Sequence, residues 1–276
     1  MKFIYATDIH GNEQKYNDIL SFAIENKIKL IHLGSDILPK GSCLLEIQKR
    51  FINGFLKSYF EKCKENEIKV LCFFGNDDAY TRKKYFKKFG SLLDEVIYTE
   101  EDYVFKAYPY VCDYPFPLKT ACKLDFKGWE RPHVEYGVDS DDKLGIIRIQ
   151  DLDRYFYEKT TIEEDLKKIK IIPNKTIFAC HMPPYSVDLD VCGRRNLNGT
   201  YDQLRRVGSR SIYEWIKKEQ PLLTLCGHIH ESYDITNCWK VKIGKTLVIQ
   251  PGQPLFETRF ILIDIQEKIV CELITV

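Results

Sequence analysis

Short apolar runs alternate with amphipathic stretches along the first third of the chain. Phe3-Ile4-Tyr5-Ala6 reads as a buried strand ending at residue 7, and residues 13–26 place Tyr16, Ile19, Leu20 and Ala23 on one helical face. Residues 28–33 form a second strand. Residues 43–65 form a long amphipathic helix, with Leu44, Ile47, Phe51, Phe55 and Tyr59 on one stripe. The run Val70-Leu71-Cys72-Phe73-Phe74 is continuously apolar, as in a strand covered on both faces. Strand, helix, strand, helix, strand predicts a mostly parallel sheet with right-handed crossovers. A short helix around residues 81–89 carries Arg82, Lys83, Lys84, Lys87 and Lys88. A solvated face is the simpler reading of these charges, a nucleic-acid patch the other.

The middle of the chain is harder to read. Residues 96–99 and 103–110 have strand character, as do residues 144–149. Residues 161–170 open with a Thr-x-x-Glu capping box, Thr161 and Glu164. Residues 111–142 are rich in Pro, Asp and aromatics without a period, and are expected to be a loop-rich insertion. Further on, residues 176–180 and 222–226 read as strands, with a helix over 210–218 that Ser209 is placed to cap. Residues 241–250 and 259–276 read as two hairpins. With no repeat, low-complexity tract or linker, a single domain over 1–276 is expected, two sheets packed together with helices outside.

Composition narrows the class. The 276 residues are 44% hydrophobic and 29% charged, ordinary for a soluble globular protein, and a formal net charge of +1 advertises no nucleic-acid or membrane partner. No apolar run approaches the roughly 20 residues of a membrane span. The ten cysteines lie mostly in apolar runs (Cys72, Cys180, Cys226, Cys271) and show no Cys-x-x-Cys spacing. They are expected to be reduced core residues of a cytoplasmic protein.

What stands out is where the polar residues fall. The strand ends carry, in order, Asp8 with His10, Asp36, Asn76, His181, and His228 with His230. Asp8 and His10, two apart at the end of a strand, are expected to face the same way. Gly11 lets the chain turn and Asn12 caps the helix that follows. In α/β sheets, sites form at the carboxyl ends of the strands. Carboxylates brought together there repel unless a cation intervenes. A mix of carboxylate, imidazole and amide suits Mn²⁺, Fe²⁺ or Zn²⁺ better than Ca²⁺ or Mg²⁺, and the lack of thiolates argues against a structural zinc.

These blocks resemble those of the calcineurin-like metallophosphoesterase superfamily. Its Asp-x-His, Gly-Asp, Gly-Asn-His-Asp/Glu, lone His and Gly-His-x-His are matched, in family order, by Asp8-Ile9-His10, Gly34-Ser35-Asp36, Gly75-Asn76-Asp77-Asp78, His181 and Gly227-His228-Ile229-His230. The resemblance implies a four-layer αββα sandwich and two divalent metals, manganese foremost, with iron, zinc or nickel as alternatives. It implies one metal on Asp8, His10 and His230, a second on Asn76, His181 and His228, and Asp36 bridging them together with a hydroxide. Two-metal sites activate water and clamp the phosphoryl oxygens during in-line attack, so no protein nucleophile is needed.

Two departures from the family pattern bear on the substrate. Ser35 is inserted into the Gly-Asp pair. Asp77 replaces a histidine that in the family contacts phosphate and assists the leaving group. An ionised Asp77 repels a phosphate anion, which tilts the expectation towards phosphodiesters with good leaving groups. Helix capping is the plainer role for Asp77 and Asp78. Arg194, Arg210 and Ser209 are candidate substrate-binding residues, the arginines as forks for phosphate and Ser209 at a helix N-terminus; a solvated surface and an ordinary cap are the alternatives. His32, within a strand, is expected to pack between layers. The expected activity is hydrolysis of a small phosphate ester, favouring diesters, with a monoesterase or nucleotidase, a nuclease, and an inactive scaffold as rivals.

Overall fold

Inward and outward positions alternate strictly along the first strand, Lys2–Ala6. Phe3 and Tyr5 enter one core, Ile4 and Ala6 another. That alternation places the strand between two layers of different chemistry, and the rest of the chain builds them. The computed structural model describes residues 1–89, 92–93 and 97–276, and the side chain of Lys87 is not included.

One sheet has the spatial order Ile269–Thr275, Arg259–Ile265, Lys2–Ala6, Leu30–Leu33, Lys69–Cys72. The last three are parallel, as the sequence predicts, with Ile4 opposite Ile31 and Leu30 opposite Lys69. The other sheet has the order Lys240–Ile243, Thr246–Ile249, Leu223–Leu225, Thr176–Cys180, Tyr103–Tyr108, Tyr98–Glu100. The two C-terminal hairpins are thus divided, one to each sheet. Of the strand expected over 96–99, Val96 lies outside the described residues.

The sheets face each other across Phe3, Tyr5, Leu71, Phe73, Phe105, Ile177, Leu225 and Ile261. Outside the first sheet lie the helix Glu13–Glu25 and a long helical rod. Tyr16, Ile19, Ile52, Leu56 and Tyr59 pack on Ile4 and Ala6. Outside the second sheet, the helix Arg210–Glu219 sets Trp215 against Phe178, ring centroids 4.4 Å apart. The result is four layers, αββα.

The rod runs as α-helix Leu44–Phe51, a π-helical turn Ile52–Leu56, and α-helix Lys57–Glu65. Its deepest line is Gln48, Ile52, Leu56, Tyr59 and Cys63, one position off the expected stripe up to Leu56 and back on it at Tyr59. The larger rings of Phe51 and Phe55 sit on the flank, stacked at 5.3 Å and packed edge-on to Tyr16.

The segment 111–142 is more ordered than its sequence suggests. Val111–Cys112 pairs with Cys122–Lys123, and Gly137–Asp141 with Gly145–Ile149. Lys119 and Asp113 form a fully buried ion pair at 2.6 Å. Two-residue strands show no period, and this pairing was not readable from the sequence.

His32 is fully buried between the sheets, against Tyr5, Phe105 and Phe73, and neither ring nitrogen has a hydrogen-bond partner. This is the layer-packing role expected of it. Burial pushes its pKa down to about 3. The unfolded chain binds a proton at His32 near pH 6.5 and the folded chain does not, so this residue costs stability progressively as pH falls below 6.5. Between pH 7 and pH 5, wild-type protein is expected to lose about 2 kcal/mol more stability than His32→Phe. Urea unfolding at the two pH values measures the difference; equal losses contradict it.

Candidate metal centre

The chain turns sharply at four of the seven expected ligands. Asp8, His10, Asp36 and His228 all have left-handed backbone, with φ of 56°, 48°, 52° and 72°. Such angles are uncommon for residues other than glycine, and they cluster at functional sites. The strand ends at Ala6, so these turns, rather than strand alternation, aim Asp8 and His10. Gly11 (φ 69°) has no room for a side chain, since a Cβ there would lie 2.7 Å from Pro39. Asn12 caps the following helix through Oδ1, which accepts from the amides of Gln14 and Lys15.

Three overlapping groups of donor atoms result, each within 4.8 Å: Asp8, His10 and His230; Asp8, Asp36 and His181; His10, Asp36 and Asp77. The Nε2 atoms of His10 and His230 lie 3.0 Å apart. His181 Nε2 is 2.7 Å from Asn76 Oδ1 and 3.3 Å from Asp36 Oδ2. Asp36 is thus common to two groups, and Asn76 joins through His181. His228 contributes differently. Its backbone N–H donates to both oxygens of Asp8, at 3.1 and 3.0 Å, while its ring packs on those of His181 and Tyr114. None of the three groups includes its ring nitrogens.

Glycines admit the carboxylates. A Cβ on Gly75 would lie 2.2 Å from Asp36 Oδ1, and one on Gly227 2.5 Å from Asp8 Oδ2. Burial raises the pKa of Asp8, but the hydrogen bond and charge of His230 outweigh it and bring the carboxyl down to about 2. Burial opposes ionisation of Asp36 too, yet His181 and His10 hold it well below the ordinary range. Burial pushes His10 and His228 down to about 3, leaving them neutral. Ionised Asp8 and Asp36 beside neutral His10 and His228 are in the protonation states that bind metals, whereas at His181 burial is outweighed by the charge and hydrogen bond of Asp36, which raise its pKa. His10 Nδ1, buried and without a partner, together with two Nε2 atoms turned onto each other, fits donors that converge on a cation.

Several supporting residues carry no motif. Ser35, the residue inserted before Asp36, is fully buried, and its Oγ hydrogen-bonds His181 Nδ1. It fixes the ring with Nε2 facing Asp36 and Asn76. Such partners of ligating histidines typically contribute 10–100-fold to metal affinity. Ser35→Ala is therefore expected to weaken divalent-metal binding about tenfold or more, as titration calorimetry would show; unchanged affinity contradicts this role. Gln253 receives Arg259 N on Oε1, donates Nε2 to Thr7 O, and donates its backbone N to His230 O. It therefore binds the turns of Asp8 and His230 together. Tyr5 reaches across from the first sheet, its hydroxyl donating to Cys226 O at 2.9 Å.

Asp78 does not cap a helix. Its carboxylate accepts from the amides of Gly75, Ile37 and Leu38, latching the Asp36 and Asn76 loops to each other. Burial and the charge of Asp36 push its pKa up to about 8, against the pull of those three N–H groups. Asp77 turns towards the cluster: its backbone N donates to Asp36 Oδ1, and its Oδ2 lies 3.9 Å from His10 Nδ1.

The candidate substrate residues occupy the places that the alternative readings gave them. Ser209 caps its helix, accepting from Ile212 N, and its hydroxyl donates to Asp125 Oδ1 at 2.6 Å. The amides of Arg210 and Ser211 also end on the Asp125 carboxylate. A buried carboxylate already satisfies this helix N-terminus, and Ser209 takes the ordinary capping role that the sequence also offered. Arg210 is exposed, its guanidinium 4.9 Å from the Tyr185 ring centre. Arg194 is exposed on a two-stranded hairpin, Val191–Arg195 with Tyr201–Arg206, where the sequence suggested loop.

An αββα sandwich whose strand-end turns gather three aspartates, an asparagine and four histidines has the architecture of a metallophosphoesterase. The chain belongs to the calcineurin-like phosphoesterase family, whose profile matches residues 1–232. Membership implies a metal-dependent phosphoester hydrolase. No curated protein matches it in sequence. Among solved structures it resembles a protein of Thermus thermophilus, with TM-score 0.56 and 15% identity, covering 98% of this chain and 97% of that one. It also resembles a dimetal phosphatase from Danio rerio, with TM-score 0.56 and 9% identity, covering 100% and 98%. At such identities the likeness is one of fold. The residues beyond 232 belong to the same architecture, since they supply a hairpin to each sheet. No described helix is long and apolar enough to cross a membrane.

Proposed function

We propose that this chain hydrolyses small phosphodiesters with two divalent cations, manganese foremost, held at the strand-end cluster. Asp8, His10 and His230 would hold one cation and Asn76, His181 and His228 the other, with Asp36 shared. The observation that supports the reading is the place of Asp36, whose carboxylate shares one donor group with Asp8 and His181 and another with His10 and Asp77. Such a pair of cations supplies an activated hydroxide and charge for the phosphoryl oxygens.

The chain's own residues set the rest. Asp36 is held by Asp77 N and His181, so its second oxygen has a fixed direction. Ser35 and Tyr114 fix the rings of His181 and His228. Asp77 adds a third carboxylate beside Asp36 and His10, which favours a phosphodiester monoanion over a monoester dianion. Hydrolysis of a nitrophenyl diester and the matching monoester by Mn²⁺-loaded protein tests this directly. A diester preference is expected. Faster monoester cleavage overturns the substrate assignment, and no cleavage of either by protein with two metals bound overturns the enzyme reading.

A further inference from the structure

We propose that Lys15, a buried lysine on the first helix, is a positioning residue for one of the two expected cations. It ties together the turns that carry Asp8, His10 and His230 and leaves the His181 side of the site to other residues. The inference rests on the two-metal reading and gives a role to a side chain that no motif marks.

Lys15 stands in the first turn of the helix Glu13–Glu25, five residues after His10. Only 4% of it is exposed. Its ammonium meets no carboxylate among the described residues; Nζ donates instead to Gln253 Oε1 at 3.1 Å and to the carbonyl of Pro254. Burial, helped by the charge of Arg259, pushes its pKa down to about 8, so the folded chain holds the cation at a cost. An apolar side chain of the same length would fill the space without that cost. What lysine adds is the pair of hydrogen bonds, and these lead to the metal ligands.

Gln253 Nε2 donates to Thr7 O at 3.0 Å, one residue before Asp8, and Gln253 N donates to His230 O at 2.9 Å. Gly252 beside it lies so close that a Cβ there would be 2.6 Å from His230 O. His10 is reached from the other end of the same residue. The backbone N of Lys15 donates to Asn12 Oδ1, the cap that closes the turn after His10. The backbone of Lys15 thus secures the His10 turn, and its side chain secures the loop that joins the Asp8 and His230 turns. These three ligands form one donor group within 4.8 Å.

The other side of the site has its own supports. Ser35 Oγ hydrogen-bonds His181 Nδ1, and the Asp78 carboxylate latches the Asp36 and Asn76 loops. Two separate sets of supports mean that loss of Lys15 should be felt at one cation and not at the other.

Calorimetric titration of Mn²⁺ into one-site variants tests this. His181→Ala leaves the Asp8, His10 and His230 group intact, and His230→Ala leaves the Asn76, His181 and His228 side. Adding Lys15→Met should weaken Mn²⁺ binding about tenfold in the His181→Ala background, the effect expected of a group that orients metal ligands, and leave it unchanged in the His230→Ala background. Gln253→Leu removes the side chain that Lys15 holds but keeps the backbone bond to His230. It should give the same one-sided loss, and adding Lys15→Met to it should cost little more, because the two act as a unit. Equal weakening in both backgrounds would mean a general effect on the fold and overturns the proposal. Unchanged affinity in the His181→Ala background overturns it too. Wild type titrated alongside keeps the two readings apart: fewer than two Mn²⁺ bound per chain defeats the two-metal reading, while the comparison of backgrounds decides the role of Lys15.

Discussion

Asp36→Asn is expected to lower phosphoester hydrolysis at least about 10³-fold while leaving the fold intact, because the several kcal/mol that the proposed pair of cations would supply depend on this anion. Asparagine keeps the shape of the side chain and an oxygen for the Asp77 amide, so the loop has no steric reason to move. What disappears is the negative charge shared between the donor groups and facing His181 and His10. Metal content should fall below two per chain. Metal-free stability should fall, because the ionised Asp36 carboxylate, held well below its ordinary range chiefly by His181, stabilises the folded chain at neutral pH. Activity assays, metal analysis and thermal unfolding on one preparation separate these effects. Near-wild-type turnover would overturn the site assignment.

Asp125→Ala is expected to cost about 3 kcal/mol or more of stability, since it removes the charged acceptor for several buried donors. The carboxylate takes the Ser209 hydroxyl and the amides of Arg210 and Ser211, at the start of the helix that packs Trp215 and Ile216 on the second sheet. It lies in the long middle segment, so its loss detaches that segment from the helix as well as uncapping the helix. Chemical denaturation gives the number. A loss below about 1 kcal/mol would mean that water replaces the carboxylate without penalty.

The readable parts of this sequence were those with a period or a fixed spacing. Continuous apolar runs gave the parallel strands, and Asp or His at their ends gave the donors brought together at the cluster. The capping boxes and caps at Asn12, Thr161 and Ser209 formed as local chemistry requires. What stayed hidden was long-range. Ser35 looked like an interruption of a motif because its partner, His181, lies 146 residues away. Asp125 is 84 residues from Ser209, and Gln253 is 246 from Thr7. No local pattern encodes such pairs. The hairpin of residues 191–206 has mostly polar, exposed strands, so it lacks the apolar alternation by which strands are recognised.

The left-handed turns at Asp8, His10, Asp36 and His228 set activity against durability. Each holds a branched side chain where glycine would rest more easily, at a cost on the order of 1 kcal/mol. The two packed sheets hold these turns in place, and the amides of Asp8 and His10 bond to Ser35 O and Asp36 O across the strand ends. A lineage released from the need to hydrolyse phosphate esters would therefore have an easy route to a tougher protein, drifting to glycine or asparagine at these positions first.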